Sequence, residues 1–410
     1  MTLLSVDQAR ERILSQLHPV ITETIKLVDC SNRVLAQDII AHDDLPLFDN
    51  SSMDGFAVRA EDVVNATSAS PQNLRVVADI PAGSVPSISL APGQAARIMT
   101  GAHLPQGADA VVPVEDTDFV NRDAGSHPPE QVQIHVPAKR GGNVRPRGMD
   151  IHAGEVVIQK GHRLKPQDLG LLAMLGFGNV AVFRKPRVAL LSSGDELVSV
   201  DAALEPGKIR DSNSYVIAAL IESTPAEVIR LGIANDNRAS VEALFEGAAT
   251  KDVDMIISSA GVSVGAYDFI KEVIESNGRM DFWRVNMRPG KPLAFGEYRS
   301  IPFIGLPGNP VSAFVGFEVF VRPALERLGG SAGGIRSTIR VRSEEQIDSD
   351  GRESYLRAIV QEKSGELVAR LTGHQGSGNL HSLVQANALL IIPAGVKCVP
   401  AGQEVNAWYL

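Results

Sequence analysis

The chain opens on "MTLLSVDQARERILSQL", where Leu4, Val6, Ile13, Leu14 and Leu17 recur among charges at helical spacing. That pattern predicts an amphipathic helix. A short strand, "TIKLV", a second short helix and a loop follow, up to residue 50. From about 52 to 140 the period shortens. β-prone runs such as "LRVVADI", "QAARIMT" and "AVVPVED" alternate with the turn formers "PAGSVP", "LAPG" and "HLPQGAD", which predicts an all-β segment with tight turns. The polar stretch "NRDAGSHPPEQ" interrupts it as a mobile loop. Beyond it come "EVVIQKG" and the helix "KPQDLGLLAMLGF". The β segment, 51–140, therefore reads as an insertion into a domain whose halves are 1–50 and 141–179.

Residues 180–330 follow a third pattern. The apolar runs "RVALLSS", "AEVIRLGIA" and "VDMIISS" alternate with the amphipathic stretches "SYVIAALIES", "RASVEALFEGAA" and "YDFIKEVIES". The strands "DFWRVNM", "PLAFGEY" and "IPFIGL" come next, then the long helix "VSAFVGFEVFVRPALERL". Continuous apolar strands alternating with helices predict a mostly parallel α/β sheet covered on both faces. The Gly-rich "LGGSAGG" at 328–334 marks a boundary. The short strands beyond it, including "STIRVRS", "SYLRAIVQE" and "EVNAWYL", predict a small β-barrel over 331–410.

The 410 residues are 44% hydrophobic and 21% charged, enough to bury about two to four cores. A net charge of −9 leaves no electrostatic footprint for nucleic acid. Two basic clusters stand against this acidity, "KRGGNVRPRG" at 139–148 and "RVNMRPGKP" at 284–292. Each is either a solvated loop or a holder of a small oxyanion. Cys30 and Cys398 show no disulfide framework and no zinc-ligand spacing. The N-terminal stretch lacks a signal-peptide core, and "VSAFVGFEVFVRPAL" is too short to span a bilayer and carries Glu318. The chain reads as cytoplasmic, with no membrane partner.

In open α/β sheets ligands bind beyond the carboxyl ends of the strands. Three loops lie there: "SSGDEL", "SSAGVSVGAYD" and "GLPGNPVS". Glycine lets backbone N–H groups approach a phosphate, and a helix N-terminus adds partial positive charge. No Walker motif and no GxGxxG after a strand occurs, which disfavours a standard NTPase or dinucleotide enzyme. Taken singly, each loop is equally well a tight turn, and Asp195, Glu196 and Asp268 are equally well helix caps or solvated charges. Together, acids beside phosphate-type loops suggest Mg²⁺, which takes one or two carboxylates plus phosphate oxygens. Arg284, Arg288 and Lys291 complete an oxyanion pocket, and Pro307 and Pro310 around Gly308-Asn309 stiffen the last loop. "DNSSMDGFAV", with Asp54, and "RPRGMDI", with Asp150, remain either turns or functional segments.

The ordered set "PLFDNSSMDGFAV", "IMTGAHLPQGADAVVPVED", "RGMDI", "LLSSGDEL", "IRDSN", "SAGVSVGAYDF", "MRPGKPLAFG", "GLPGNPVSAF" and "GHQGSGNLHSLVQANALLIIPAG" resembles the molybdopterin molybdenumtransferase family, the MoeA proteins and the gephyrin E domain. The match runs over nearly the whole chain. The resemblance implies four domains: a split helical/β domain, an inserted β domain, a MogA-like central α/β domain and a C-terminal β-barrel. It implies a homodimer with the active site between subunits. The implied substrates are adenylyl-molybdopterin and molybdate, with Mg²⁺ or another divalent cation, giving molybdenum cofactor and AMP. It further implies transient contacts with the molybdopterin adenylyltransferase and with apo-molybdoenzymes.

Carried over residue by residue, Asp268 and Glu196 are the expected metal-binding and catalytic acids. Asp54 and Asp150 are expected catalytic acids of the N-terminal domains, and Thr100 joins them in binding substrate, supplied across the dimer. Substrate binding is expected from Ser193 and Gly194, from Asp211, and from Ser259, Gly261, Ser263 and Gly265. Arg284, Arg288, Lys291 and the Pro307, Gly308, Asn309, Pro310 loop would line the molybdate or dithiolene end, with Arg357 reaching in from the barrel. Four positions depart from the family pattern. Ser193 stands where Thr is common and keeps the hydroxyl. Met149 stands where an acid is common, and Arg284 and Arg288 where Lys is common, which changes the geometry of anion binding. Tungstate insertion and a non-enzymatic scaffold of the same fold are the competing readings. The absence of a second MogA-like domain predicts insertion without adenylylation.

Overall fold

The computed structural model describes residues 3–120, 125–260, 269–331, 334 and 336–410. Packing divides the chain into two compact units, Met1–Gln37 with Lys160–Leu410, and Asp38–Gln159.

The smaller unit is built on a five-stranded sheet in the order Ala110–Pro113, Gly55–Val58, Gln94–Ile98, Gln72–Ile80, Gln131–Ile134. Its strands alternate as a two-residue period requires. Phe56, Val58, Leu74, Val112 and Val132 bury one face; Ala57, Ile80, Ala96, Ile98 and Val111 bury the other. Two short antiparallel pairs, Asn50–Ser51 with Val144–Arg145 and Ile39–Ile40 with Val156–Ile158, tie the ends of this unit together.

In the larger unit, helix α1 (Val6–Ser15) starts on a capping box. Ser5 Oγ accepts from Gln8 N at 3.2 Å while Ser5 N donates to Gln8 Oε1 at 3.1 Å, satisfying two N–H groups that lack helical partners. The central sheet has six strands: β1 (Arg187–Ser193), β2 (Glu227–Ala234), β3 (Met255–Ser259), β4 (Gly278–Arg284), β5 (Pro292–Tyr298) and β6 (Ile301–Leu306). Their order is β2-β1-β3-β6-β5-β4. The first four run parallel, and β5 and β4 are antiparallel additions, so the expected mostly parallel sheet is present.

Helices cover both faces. Val188, Leu190 and Ile257 share one core with α1 and with the helix that begins at Pro310. Leu191 and Ile256 pack on the other side with Phe245, Val273 and Phe303. Helices α2 (Asn213–Glu222), α3 (Arg238–Ala249) and α4 (Phe269–Asn277) follow β1, β2 and β3. The helix Pro310–Gly316 continues through a π-helical turn at Phe317–Val321 into Arg322–Leu328.

Beyond the Gly-rich boundary, five strands close into the predicted barrel. These are β7 (Thr338–Ser343), β8 (Glu353–Lys363), β9 (Glu366–Leu371), β10 (Ala388–Ile392) and β11 (Glu404–Tyr409). Pairing runs β8-β9-β7-β11-β10, and β10 returns to β8. Closure removes free sheet edges. The barrel has its own core of Val341, Leu356, Ala358, Leu390 and Ala407. Tyr355 and Trp408 instead join the core beneath the central sheet, which fixes the barrel against that sheet within one unit.

Candidate active site

A cleft of about 820 Å³ lies where the parallel strands end, walled by the loops after β1, β2 and β6, the β4–β5 connection and two segments of the barrel. Its position is the one that open α/β sheets favour.

The loop after β1 separates two neighbouring acids that looked alike in sequence. Asp195 turns toward the loop after β2: its Oδ1 accepts from Asp236 N at 3.0 Å, and Asp195 N donates to Asp236 Oδ2 at 3.4 Å. Lys208 Nζ holds the Asp195 carbonyl at 2.6 Å. Glu196 faces the cleft. The turn needs glycine at 194, where φ is +151° and an added Cβ would lie 2.7 Å from Glu196 Oε2; an L side chain there would be both strained and in the way. Ser193 Oγ donates to Asp236 Oδ1 at 3.3 Å. Asp236 therefore lines the cleft beside Glu196.

Asp211 is buried, and its Oδ1 accepts from Ser214 N in the first turn of α2 at 3.1 Å. Asn213 joins this segment to the last loop by donating Nδ2 to Gly308 O at 2.7 Å. That loop, flanked by Pro307 and Pro310, is tied to the barrel segment by hydrogen bonds. Asn309 Nδ2 donates to Ser377 Oγ at 3.0 Å, and Val311 N donates to Ser377 O at 3.0 Å. Pro307, Gly308, Asn309 and Pro310 all face the cleft, as does Ser259 at the end of β3.

The cationic side comes from two places. Arg288 and Lys291 stand on the β4–β5 connection, which turns at Gly290 with φ +101°. Arg352 enters from the barrel segment before β8, donating Nη1 to Met287 O at 3.1 Å. Asp350 lies between the arginines, 2.5 Å from Arg352 Nη2 and 3.8 Å from Arg288 Nη1. The hydrogen bonds from Arg352 hold the Asp350 carboxyl below the usual carboxylate range, with the Arg288 charge adding to the effect.

The expected residues fall into five groups. Ser193, Gly194, Glu196, Asp211, Ser259, Arg288, Lys291 and the Pro307–Pro310 loop come together in this cleft. Arg284 ends β4 opposite Pro292 and is exposed, outside the lining. Arg357 is fully buried behind the wall, donating Nε to Ser382 Oγ at 2.9 Å and Nη2 to Gly376 O at 3.0 Å. It supports the cleft segment Gln375–Ser377 from behind. Burial lowers its guanidinium pKa to about 10, and the Arg288 charge contributes.

Asp54, Thr100 and Asp150 belong to the smaller unit. Asp54 Oδ1 accepts from both Thr100 N and Thr100 Oγ1 at 2.7 Å, and Asp150 pairs with Arg145. Gly261, Ser263, Gly265 and Asp268 lie outside the described residues.

Sequence reasoning missed Asp236, Asn213, Arg352 and Ser377. Asp236 sits in "ANDNR", which reads as a turn before a capped helix. Asn213 was inside the quoted "IRDSN" without a role. Arg352 precedes a strand and carries no local signal.

A mostly parallel α/β domain that carries a closed barrel, with acids and arginines lining one cleft at the strand ends, defines a multidomain α/β protein with a polar ligand cleft. Three family models cover most of the chain: "MoeA N-terminal region (domain I and II)" over 4–176, "Probable molybdopterin binding domain" over 189–327 and "MoeA C-terminal region (domain IV)" over 340–410. The chain is 40% identical to the molybdopterin molybdenumtransferase of Nostoc, covering 94% of this chain and 88% of that one. It is 38% identical to molybdopterin molybdenumtransferase 2 of Mycobacterium tuberculosis over 98% and 99%. A crystal structure of the molybdopterin biosynthesis MoeA protein from Pyrococcus horikoshii superposes with a TM-score of 0.80 at 34% identity, covering 100% of this chain and 99% of that one. The chain belongs to the molybdopterin molybdenumtransferase family and is a transferase.

Proposed function

We propose that this transferase inserts molybdenum into molybdopterin in molybdenum cofactor biosynthesis, taking adenylyl-molybdopterin and molybdate to molybdenum cofactor and AMP. One observation carries the reading: a single cleft of about 820 Å³ holds Glu196 and Asp236 together with Arg288, Lys291 and Arg352. The reaction needs both sets. Molybdate is a tetrahedral dianion, and guanidinium forks with an ammonium suit its oxygens. The pyrophosphate link carries negative charge that repels carboxylates unless a divalent cation stands between them.

The donor set fits Mg²⁺, a hard cation that takes one or two carboxylates and completes its shell with phosphate oxygens and water. Glu196 and Asp236 are the described residues that would hold it, and Asp268 joins them in this reading. Such an ion lowers the charge on the phosphates and makes AMP a better leaving group. The chain's own contribution is placement. Arg288, Lys291 and Arg352 hold the oxyanion, the Pro307–Pro310 loop offers a rigid wall, and Arg357 braces the barrel segment behind it. Water cleaves the P–O bond of the anhydride, and AMP departs with the bridging oxygen or leaves it on the pterin phosphate. Molybdate bonds to the two dithiolene sulfurs as one of its oxygens leaves as water with the two thiol protons, with no change of oxidation state.

Asp54, Thr100 and Asp150 belong to this reading as residues supplied across a homodimer, and Arg284 as a further cation at the oxyanion end. So do the domain limits 1–50 with 141–179, 51–140, 180–330 and 331–410, a cytoplasmic location, and passing contacts with the adenylyltransferase and apo-molybdoenzymes. No described helix is long and apolar enough to cross a membrane.

The test mixes purified protein with adenylyl-molybdopterin, molybdate and Mg²⁺ and follows AMP. Mg-dependent release that falls at least a hundredfold in Asp268→Ala and Glu196→Gln is expected. No release by the wild-type chain would sink the reading in favour of a scaffold. ATP-dependent adenylylation by this chain alone would show a wider activity than insertion, and competition between the oxyanions separates molybdate from tungstate.

A further inference from the structure

Asn213 is the first residue of α2 and lines the cleft. It is only 8% exposed. Its Nδ2 donates to Gly308 O at 2.7 Å, and this bond sets the orientation of the amide, because the flipped form would place oxygen against oxygen. Oδ1 is thereby left as a buried acceptor, with no hydrogen-bond partner among the described residues. Buried polar atoms of this kind are rare, and one in a ligand cleft calls for a donor that the described residues do not supply, a place a ligand can fill. Capping does not explain the residue. The N-cap position of α2 is Ser212, and Asp211 Oδ1 already takes Ser214 N in the first turn at 3.1 Å.

The chemistry of the missing donor narrows the partner. Molybdate and the phosphate groups near neutral pH offer oxygens, which are acceptors, and Arg288, Lys291 and Arg352 supply their donors. The pterin ring carries N–H donors along its pyrimidine edge. We infer that Asn213 is a further substrate-binding residue, whose Oδ1 accepts a hydrogen bond from an N–H of the pterin ring. The inference rests on the insertion reading above. The α2 side of the cleft, with Asp211 and Asn213, then presents acceptors to the ring, while the β4–β5 connection and the barrel present donors to the oxyanion. The distribution of donors and acceptors orients the substrate before any reaction.

The test uses Asn213→Ala and Asn213→Leu in the full chain. Steady-state KM for adenylyl-molybdopterin should rise about tenfold, as expected for losing one buried hydrogen bond. The kcat and the KM for molybdate should stay within about twofold. Calorimetric titration with metal-free molybdopterin should show the same tenfold loss, and titration with molybdate no loss. Unchanged affinity for metal-free molybdopterin in both variants, with only a lower melting temperature, would mean that Asn213 merely ties α2 to Gly308 and would overturn the inference. If the wild-type chain releases no AMP, the insertion reading fails by itself, and the molybdopterin titration still decides the role of Asn213.

Discussion

Replacing Glu318 with Gln tests how the barrel is held to the central domain. The Glu318 side chain has 0% exposure, in the π-helical turn of the long helix. Two arginines grip it. Arg322 donates Nε to Oε2 at 2.7 Å and Nη2 to Oε1 at 3.0 Å, and Arg336 does the same at 2.7 and 3.1 Å. Arg336 also donates Nη1 to Tyr409 O at 2.8 Å, at the end of β11. Burial alone would raise the carboxyl pKa, but hydrogen bonds from Arg336 and Arg322 outweigh it and hold it below its ordinary 4.5.

Removing one partner of a buried ion pair costs about 3–5 kcal/mol. The arginine side chains retain 12% and 26% exposure, so water softens the loss, and the low end, about 3 kcal/mol, is the expected value. Urea unfolding followed by tryptophan fluorescence measures it, since Trp408 sits in the core beneath the sheet. The sign of the pH dependence is fixed by the lowered carboxyl. Its stabilisation is complete above 4.5 and fades as pH falls through the lower folded value. The gap between wild type and Glu318→Gln should thus be full at pH 7.5 and narrow in acid. A loss below about 1 kcal/mol at pH 7.5, or a gap that stays constant into acid, would refute the argument.

Lys291→Ala removes a charge-assisted donor worth about 1.5–3 kcal/mol, so KM for molybdate should rise roughly ten- to hundredfold while metal-free molybdopterin still binds, as titration of each ligand will show. Gly194→Ala forces an L residue to φ +151° and drives its methyl to within 2.7 Å of Glu196 Oε2; AMP release should fall more than tenfold, measured beside an unfolding midpoint that drops only modestly. Tyr298 is buried and donates to Glu246 Oε1 at 2.9 Å. Burial and that carboxylate push its phenol up to about 12. An ultraviolet titration of wild type minus Tyr298→Phe should therefore lack a step near the ordinary 10, and the stabilisation should persist below pH 10 and disappear as pH climbs through about 12.

Periodicity alone specified much of this chain. The run "RVALLSS" had to be buried on both faces, and "VSAFVGFEVFVRPALERL" had to be a helix against a core, because apolar period and length leave little choice. The three loops at strand ends were legible for the same reason: glycine and proline punctuate the chain where strands stop. Direction was not. Asp195 and Glu196 are adjacent and chemically alike, yet the Asp195 carboxylate turns to Asp236 N while Glu196 faces the cleft. Only the turn at Gly194 and the packing of the loop after β2 decide that.

Arg284 and Arg288 looked equivalent, and strand register leaves Arg284 exposed while the turn at Gly290 brings Arg288 inward. Arg357 was expected in the cleft, but barrel closure buries it behind the wall and gives the cleft Arg352 instead. The sequence by itself thus determined the elements, their faces and the chemical inventory, because those follow from local period and composition. Tertiary structure decided which members of that inventory meet, because acids and arginines separated by more than a hundred residues become neighbours only through sheet order and barrel closure.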